Sequence, residues 1–164
     1  MTANQRLAAG NAIKALRKLK AAVEIGISLN QYTDRLLEAK VEIEALLNSV
    51  PTGTLRLEIA SALEAFQDAH ELWRIAVREV YVTLYLLNVR SILQKYGPTQ
   101  QDISEGVIRE KGDIYLILSA DLNRIPADAR LFDRLWQERY FDPPLKGIWA
   151  IALQHLKQSE EAFK

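Results

Sequence analysis

The sequence predicts an all-α helical bundle, and three observations carry that reading. Apolar residues recur at three- and four-residue spacing over long stretches. The five prolines and most of the seven glycines fall between those stretches rather than inside them. The first two stretches are of similar length and joined by a very short link, the pattern of an antiparallel helical hairpin.

The first helix is expected from about Asn4 to Ile25. Ala12, Leu16, Leu19 and Val23 share one side, and Lys14, Arg17 and Lys18 mark the other. Gly26 is a natural stop. Ser28-Leu29-Asn30-Gln31 then matches a capping box, in which two side chains satisfy free backbone donors at the start of a new helix. Apolar positions Leu36, Leu37, Val41, Ile43, Leu46 and Leu47 follow, and the helix ends before Pro51 and Gly53.

Thr54 to Tyr96 contains no Gly and no Pro, so no ordinary cause of a kink is present. Ile59, Leu63, Phe66, Trp73, Val77, Val80, Leu84 and Leu87 follow a near-heptad spacing. One unbroken helix would be ~63 Å long, against a radius of gyration of about 15 Å for a compact domain of this size. The favoured reading is one long third helix packed first on the N-terminal hairpin and then on the C-terminal half. The chain 1–164 is then a single domain with two lobes, about 1–75 and 76–164, sharing the helix 54–96.

Gly97-Pro98 ends that element. Between Thr99 and Asp142, Val107-Ile108 and Ile114 to Leu118 flank the turn-like Glu110-Lys111-Gly112-Asp113. Helix is preferred there, and a small β-hairpin over 107–118 stays open, because short apolar runs do not separate the two. Ala127 to Tyr140 reads as a short helix with Leu131, Leu135 and Trp136 inward. Asp142-Pro143-Pro144 forces a break, and the last helix carries Ile148, Trp149, Ala152, Leu153 and Leu156.

Composition is that of an ordinary globular domain, with 49% apolar and 26% charged residues. Lys plus Arg and Asp plus Glu are both 21, so no global field steers the chain to nucleic acid. Cysteine is absent, which removes disulfides and thiol chemistry. The longest uncharged apolar stretch, Val80 to Val89, is about half the ~20 residues a membrane span needs. No leader pattern opens the chain, because Arg6, Lys14, Arg17, Lys18 and Lys20 are spread through it. A cytoplasmic location is expected if the chain is complete, and export if a leader has been removed.

The search for chemistry is mostly negative. Three residues before His70 and His155 stand Gln67 and Ala152, so the Glu-x-x-His pairs of a di-iron bundle are missing. His70-Glu71 is followed by Arg74 where a zinc motif needs a second histidine. No nucleophile elbow or phosphate loop occurs, and neither a cofactor nor a metal is expected. His70 and Arg74, one turn apart, form the candidate polar site. The functional reading is a general base in a groove; the preferred one is a boundary histidine with a backbone or carboxylate partner. His155 is expected at the surface or rim. Glu38, Glu42 and Glu44 read as a solvated stripe.

The basic first helix suits an anionic lipid surface or nucleic acid, but Asp34, Glu38, Glu42 and Glu44 on the second helix offer neutralisation, and a structural role is preferred. Tyr81 and Tyr85 sit one turn apart in the apolar stretch 80–89, which must be covered on every side. Core burial, an oligomer interface and a ligand pocket all suit them. Trp73, on the side of Phe66 and Val77, is expected to be a core anchor.

Gly26-Ile27-Ser28, Tyr32, Leu36, Ala39, Pro51-Thr52-Gly53-Thr54-Leu55, Glu58-Ile59, Ala62-Leu63, Ala65-Phe66, Asp68-Ala69 and Trp73 together resemble a segment of uncharacterised bacterial all-helical proteins. Ile148-Trp149 and Ala152 resemble their last helix. The resemblance covers less than half the chain, with Phe66 where tyrosine is expected, and 97–144 departs from it. Export signals are common in that group and no activity is attached to it, so the resemblance implies a fold but no catalytic residues.

The sequence therefore points to a non-enzymatic helical module acting by protein association, as a homodimer along the third helix. The alternative is a small-molecule binding bundle with its pocket near Trp73, Tyr81 and Tyr85. A helical enzyme using His70 with Glu71 or Arg74 comes third.

Overall fold

A computed structural model of the chain describes residues 1–78, 88, 91, 92, 95, 96 and 142–164. Among the described residues there are four helices and no strand: α1 (Ala3–Ile25), α2 (Leu29–Ser49), α3 (Thr54–Arg78) and α4 (Asp142–Phe163). The all-α helical bundle is the observed class. Asn88, Ser91, Ile92, Lys95 and Tyr96 are helical as well. The hairpin over 107–118, the short helix 127–140 and the continuity of the helix 54–96 lie outside the described residues. The chain divides into two compact units, Met1–His70 with Trp149–Lys164, and Glu71–Ile148.

Local chemistry sets the helix ends in the first unit. Thr2 and Gln5 form a capping box on α1, and Ser28 and Gln31 form the one foreseen on α2. Gly26 closes α1 at φ +83°, a left-handed backbone that glycine adopts without penalty, and its N–H reaches the carbonyls of Ala22 and Val23. At the end of α2, the Arg56 guanidinium donates to the carbonyls of Leu47 and Val50, placing a cation where the helix dipole favours one.

Contacts between helices give the topology of this unit. Gln5 Nε2 at the start of α1 donates to the Ser49 carbonyl at the end of α2, 2.9 Å away. Tyr32, early in α2, bonds Phe66, at the middle of α3, whereas Arg56, early in α3, caps the end of α2. Trp149 in α4 meets Tyr32, and six residues on His155 meets Glu58. Arg17 pairs with Glu160, and Gly10 lies beside Phe163. Each helix is therefore antiparallel to the next, and α4 to α1, in up-down-up-down order around one core.

Buried residues step by three and four along each helix. Ala9, Ala12, Ile13, Leu16 and Leu19 of α1 face inward with Tyr32, Leu36, Ala39, Ile43 and Leu46 of α2. From α3 come Leu55, Ile59, Ala62, Leu63, Phe66 and Ala69, and from α4 Ala152, Leu156 and Ser159, whose hydroxyl donates to the Leu156 carbonyl at 2.7 Å.

Two apolar positions of α2 correct the sequence reading. Leu37 is 58% exposed and Val41 66%. At 100° per residue they stand about 140° and 180° around the helix from its buried line, so the bundle closes without them. On α3, Phe66 is fully buried but Trp73 is only half-buried and Val77 is 69% exposed. Trp73 is thus a boundary residue rather than a core anchor.

Candidate association surface

A polar cluster that includes His70 centres on Tyr32. The buried Tyr32 hydroxyl donates to the Phe66 carbonyl at 2.8 Å and accepts the Trp149 indole N–H at 3.3 Å. One phenol thereby joins α2, α3 and α4. Burial pushes it well above its ordinary pKa of 10.0, with the Trp149 N–H pulling slightly back. The Tyr32 ring stacks on His70 at 5.9 Å between centroids and 19° between planes.

Thr33 fixes the state of that imidazole. Its single hydroxyl proton goes to the Leu29 carbonyl, 2.8 Å away, so it accepts from His70 Nε2, also at 2.8 Å. The proton therefore sits on Nε2, where the partner is a threonine hydroxyl. Arg74 is engaged separately, donating from Nε and Nη2 to the two oxygens of Glu71 at 2.7 and 2.6 Å. That carboxylate raises the guanidinium pKa further above its ordinary value.

His155 is half-buried at the rim, and its Nδ1 lies 2.7 Å from Glu58. Tyr81 and Tyr85 fall outside the described residues, so the pocket foreseen around Trp73, Tyr81 and Tyr85 is represented by Trp73 alone. Among the described residues, no three His, Cys, Asp or Glu side chains lie together as metal ligands, and no helix is long and apolar enough to cross a membrane.

A surface that sequence reasoning passed over lies on the outside of the α1/α2 hairpin. An open trough of about 730 Å³ runs between the helices past Lys18, Ala22, Ile25, Gln31 and Asp34. It continues, through Lys18, Arg35 and Glu38, into a second trough of about 460 Å³ over Ala15, Ala39, Val41 and Glu42. Val41 stands on its α2 bank, Leu37 lies farther round α2 and lines neither trough, and Ile25, 83% exposed, closes the α1 end. Alanines in the interface let α1 and α2 approach closely, so these side chains are presented by a firm pair of helices.

Charge on this surface is sorted by helix. Arg17 is held by Glu160, Lys20 by Glu24, Arg35 by Glu38 and Lys40 by Glu44. Among the described residues, Lys14 and Lys18 on α1 and Asp34 and Glu42 on α2 close no ion pair with one another across the trough. The foreseen neutralisation of α1 by α2 is thus not made within one molecule; Glu160 of α4 and Glu24 of α1 itself supply it for two of the five cations. The signal in the sequence was the offset of Leu37 and Val41 from the Leu36–Ile43 line.

Comparison with protein-family models, curated proteins and solved structures gives no match for this chain.

Proposed function

We propose that the chain is a non-enzymatic helical module that acts by protein association, as a homodimer. The observation that carries this reading is the outward placement of Leu37 and Val41 on a bundle whose core is complete without them. Burying one such side chain is worth about 1.5–3 kcal/mol. A two-fold contact buries four of them, about 6–12 kcal/mol, comparable to the estimated 4–15 kcal/mol cost of association. On the third helix, Leu57 and Val77 are exposed as well.

Sedimentation equilibrium between low and high micromolar concentration tests the reading. A dimer is expected for the parent chain, and a monomer of unchanged helicity for Leu37→Ser with Val41→Ser. A parent chain that stays monomeric throughout this range overturns it.

A further inference from the structure

We infer that the α1/α2 face docks on the same face of a second copy, each α1 lying over the partner's α2, with Lys14 and Lys18 of one copy meeting the acidic line Asp34, Glu38 and Glu42 of the other. The inference rests on the homodimer reading and supplies its contact surface and geometry.

Three observations select this arrangement. First, the exposed charges of α1 and α2 are opposite in sign. α1 carries five cations against Glu24 alone, and α2 carries four acids against Arg35 and Lys40. Second, both charged sets repeat at four residues, so each forms a line along one side of its helix: Lys14 and Lys18, and Asp34, Glu38 and Glu42. Third, the two lines have a common centre. The Gln5–Ser49 bond sets the register of the antiparallel pair. Eleven residues inward from Gln5 is Leu16, midway between the lysines; eleven back from Ser49 is Glu38, the middle of the acids.

A two-fold axis needs that coincidence. With the axis running between the two faces, parallel to the helices, rotation by half a turn carries α1 onto the position over the partner's α2, and the shared level of Leu16 and Glu38 brings both lysines beside Glu38 and its neighbours. The same operation pairs the other copy's lysines with the first copy's acids, as an isologous contact requires. Placing α2 on α2 sets acids against acids, and α1 on α1 sets lysines against lysines; both are repulsive. Val41 and Ile25 border the charged lines and are covered together, while Ala15 and Ala39 keep the trough floor flat.

The test is a charge swap on the full chain, read by sedimentation equilibrium. Lys14→Glu with Lys18→Glu is expected to weaken self-association by more than about tenfold, as is Asp34→Lys with Glu42→Lys. An equimolar mixture of the two variants is expected to recover a heterodimer near the parent affinity, because opposite lines face each other again on both halves. Raising salt from 50 to 500 mM weakens the parent dimer as the Debye length shrinks. Circular dichroism confirms that each variant folds. A parent dimer unaffected by either reversal, or a mixture that stays monomeric, overturns the inference while leaving homodimerisation intact. A monomeric parent overturns both.

Discussion

Replacing Tyr32 by phenylalanine isolates the pin that joins three helices. The ring and its stacking on His70 are kept, and only the oxygen is lost. With it go a 2.8 Å bond to the Phe66 carbonyl and a longer, weaker 3.3 Å bond from Trp149. Net contributions near 1 kcal/mol for the first and less for the second give a loss of about 1–2 kcal/mol at neutral pH, or roughly 3–6 °C in Tm for a chain of this size. The deficit should then shrink in alkali. The folded phenol is raised above the unfolded value of 10.0. Below pH 10 both states keep the proton and the stabilisation is complete. Above it the unfolded chain ionises while the buried phenol does not, so folding takes up a proton and stability falls as pH rises. The slope is about 1.4 kcal/mol per pH unit, which cancels most of the difference by pH 11. Urea unfolding of both proteins at pH 8, 9, 10 and 11 measures it, the remaining tyrosines being common to both. A deficit that stays constant to pH 11 refutes the buried-phenol argument.

Three further substitutions check the fold. Gly10→Ala should stabilise by about 0.5–1 kcal/mol, because glycine in mid-helix is costly. Its new Cβ meets Phe163 at an ordinary 3.8 Å; a lower Tm would mean α1 and α4 approach more closely than this. Ser28→Ala removes the cap of α2 and should cost about 1 kcal/mol in thermal unfolding, with no change in association. Arg56→Met strips the last carbonyls of α2 of a charged donor and should cost about 1 kcal/mol, the side chain being half-exposed. Faster amide exchange at residues 46–50, read by hydrogen exchange, accompanies it.

How much of this was legible depends on the range of the interactions. Gly26, the Ser28–Gln31 box and the stop before Pro51 are local, and each is where the sequence puts it. Thr2–Gln5 repeats the same motif and was readable by the same rule. Leu37 and Val41 were misread because α2 has apolar residues on two sides, and periodicity does not say which side the rest of the chain covers. The Tyr32 pin was out of reach: its partners stand 34 and 117 residues away, and neither phenylalanine's carbonyl nor tryptophan's N–H leaves a mark in spacing. His155 meets Glu58 across 97 residues and was hidden for the same reason.

The α1/α2 pair is where packing and association meet, and Ala39 links them. It is fully buried against α1 at the floor of the trough, level with Ala15. Ala39→Leu adds three carbons to a close helix contact, and overpacking of this kind costs typically 1–3 kcal/mol. The cheapest relief is for the helices to part, which moves the lysine line away from the acidic line without altering a charge. If α1 over the partner's α2 is the contact, association should weaken together with the fall in Tm. Ala65→Leu, buried on α3 and lining neither trough, provides the control: it should lower Tm by a similar amount and leave association alone. Equal effects of the two substitutions on the dimer would show that association follows stability in general rather than the spacing of this hairpin.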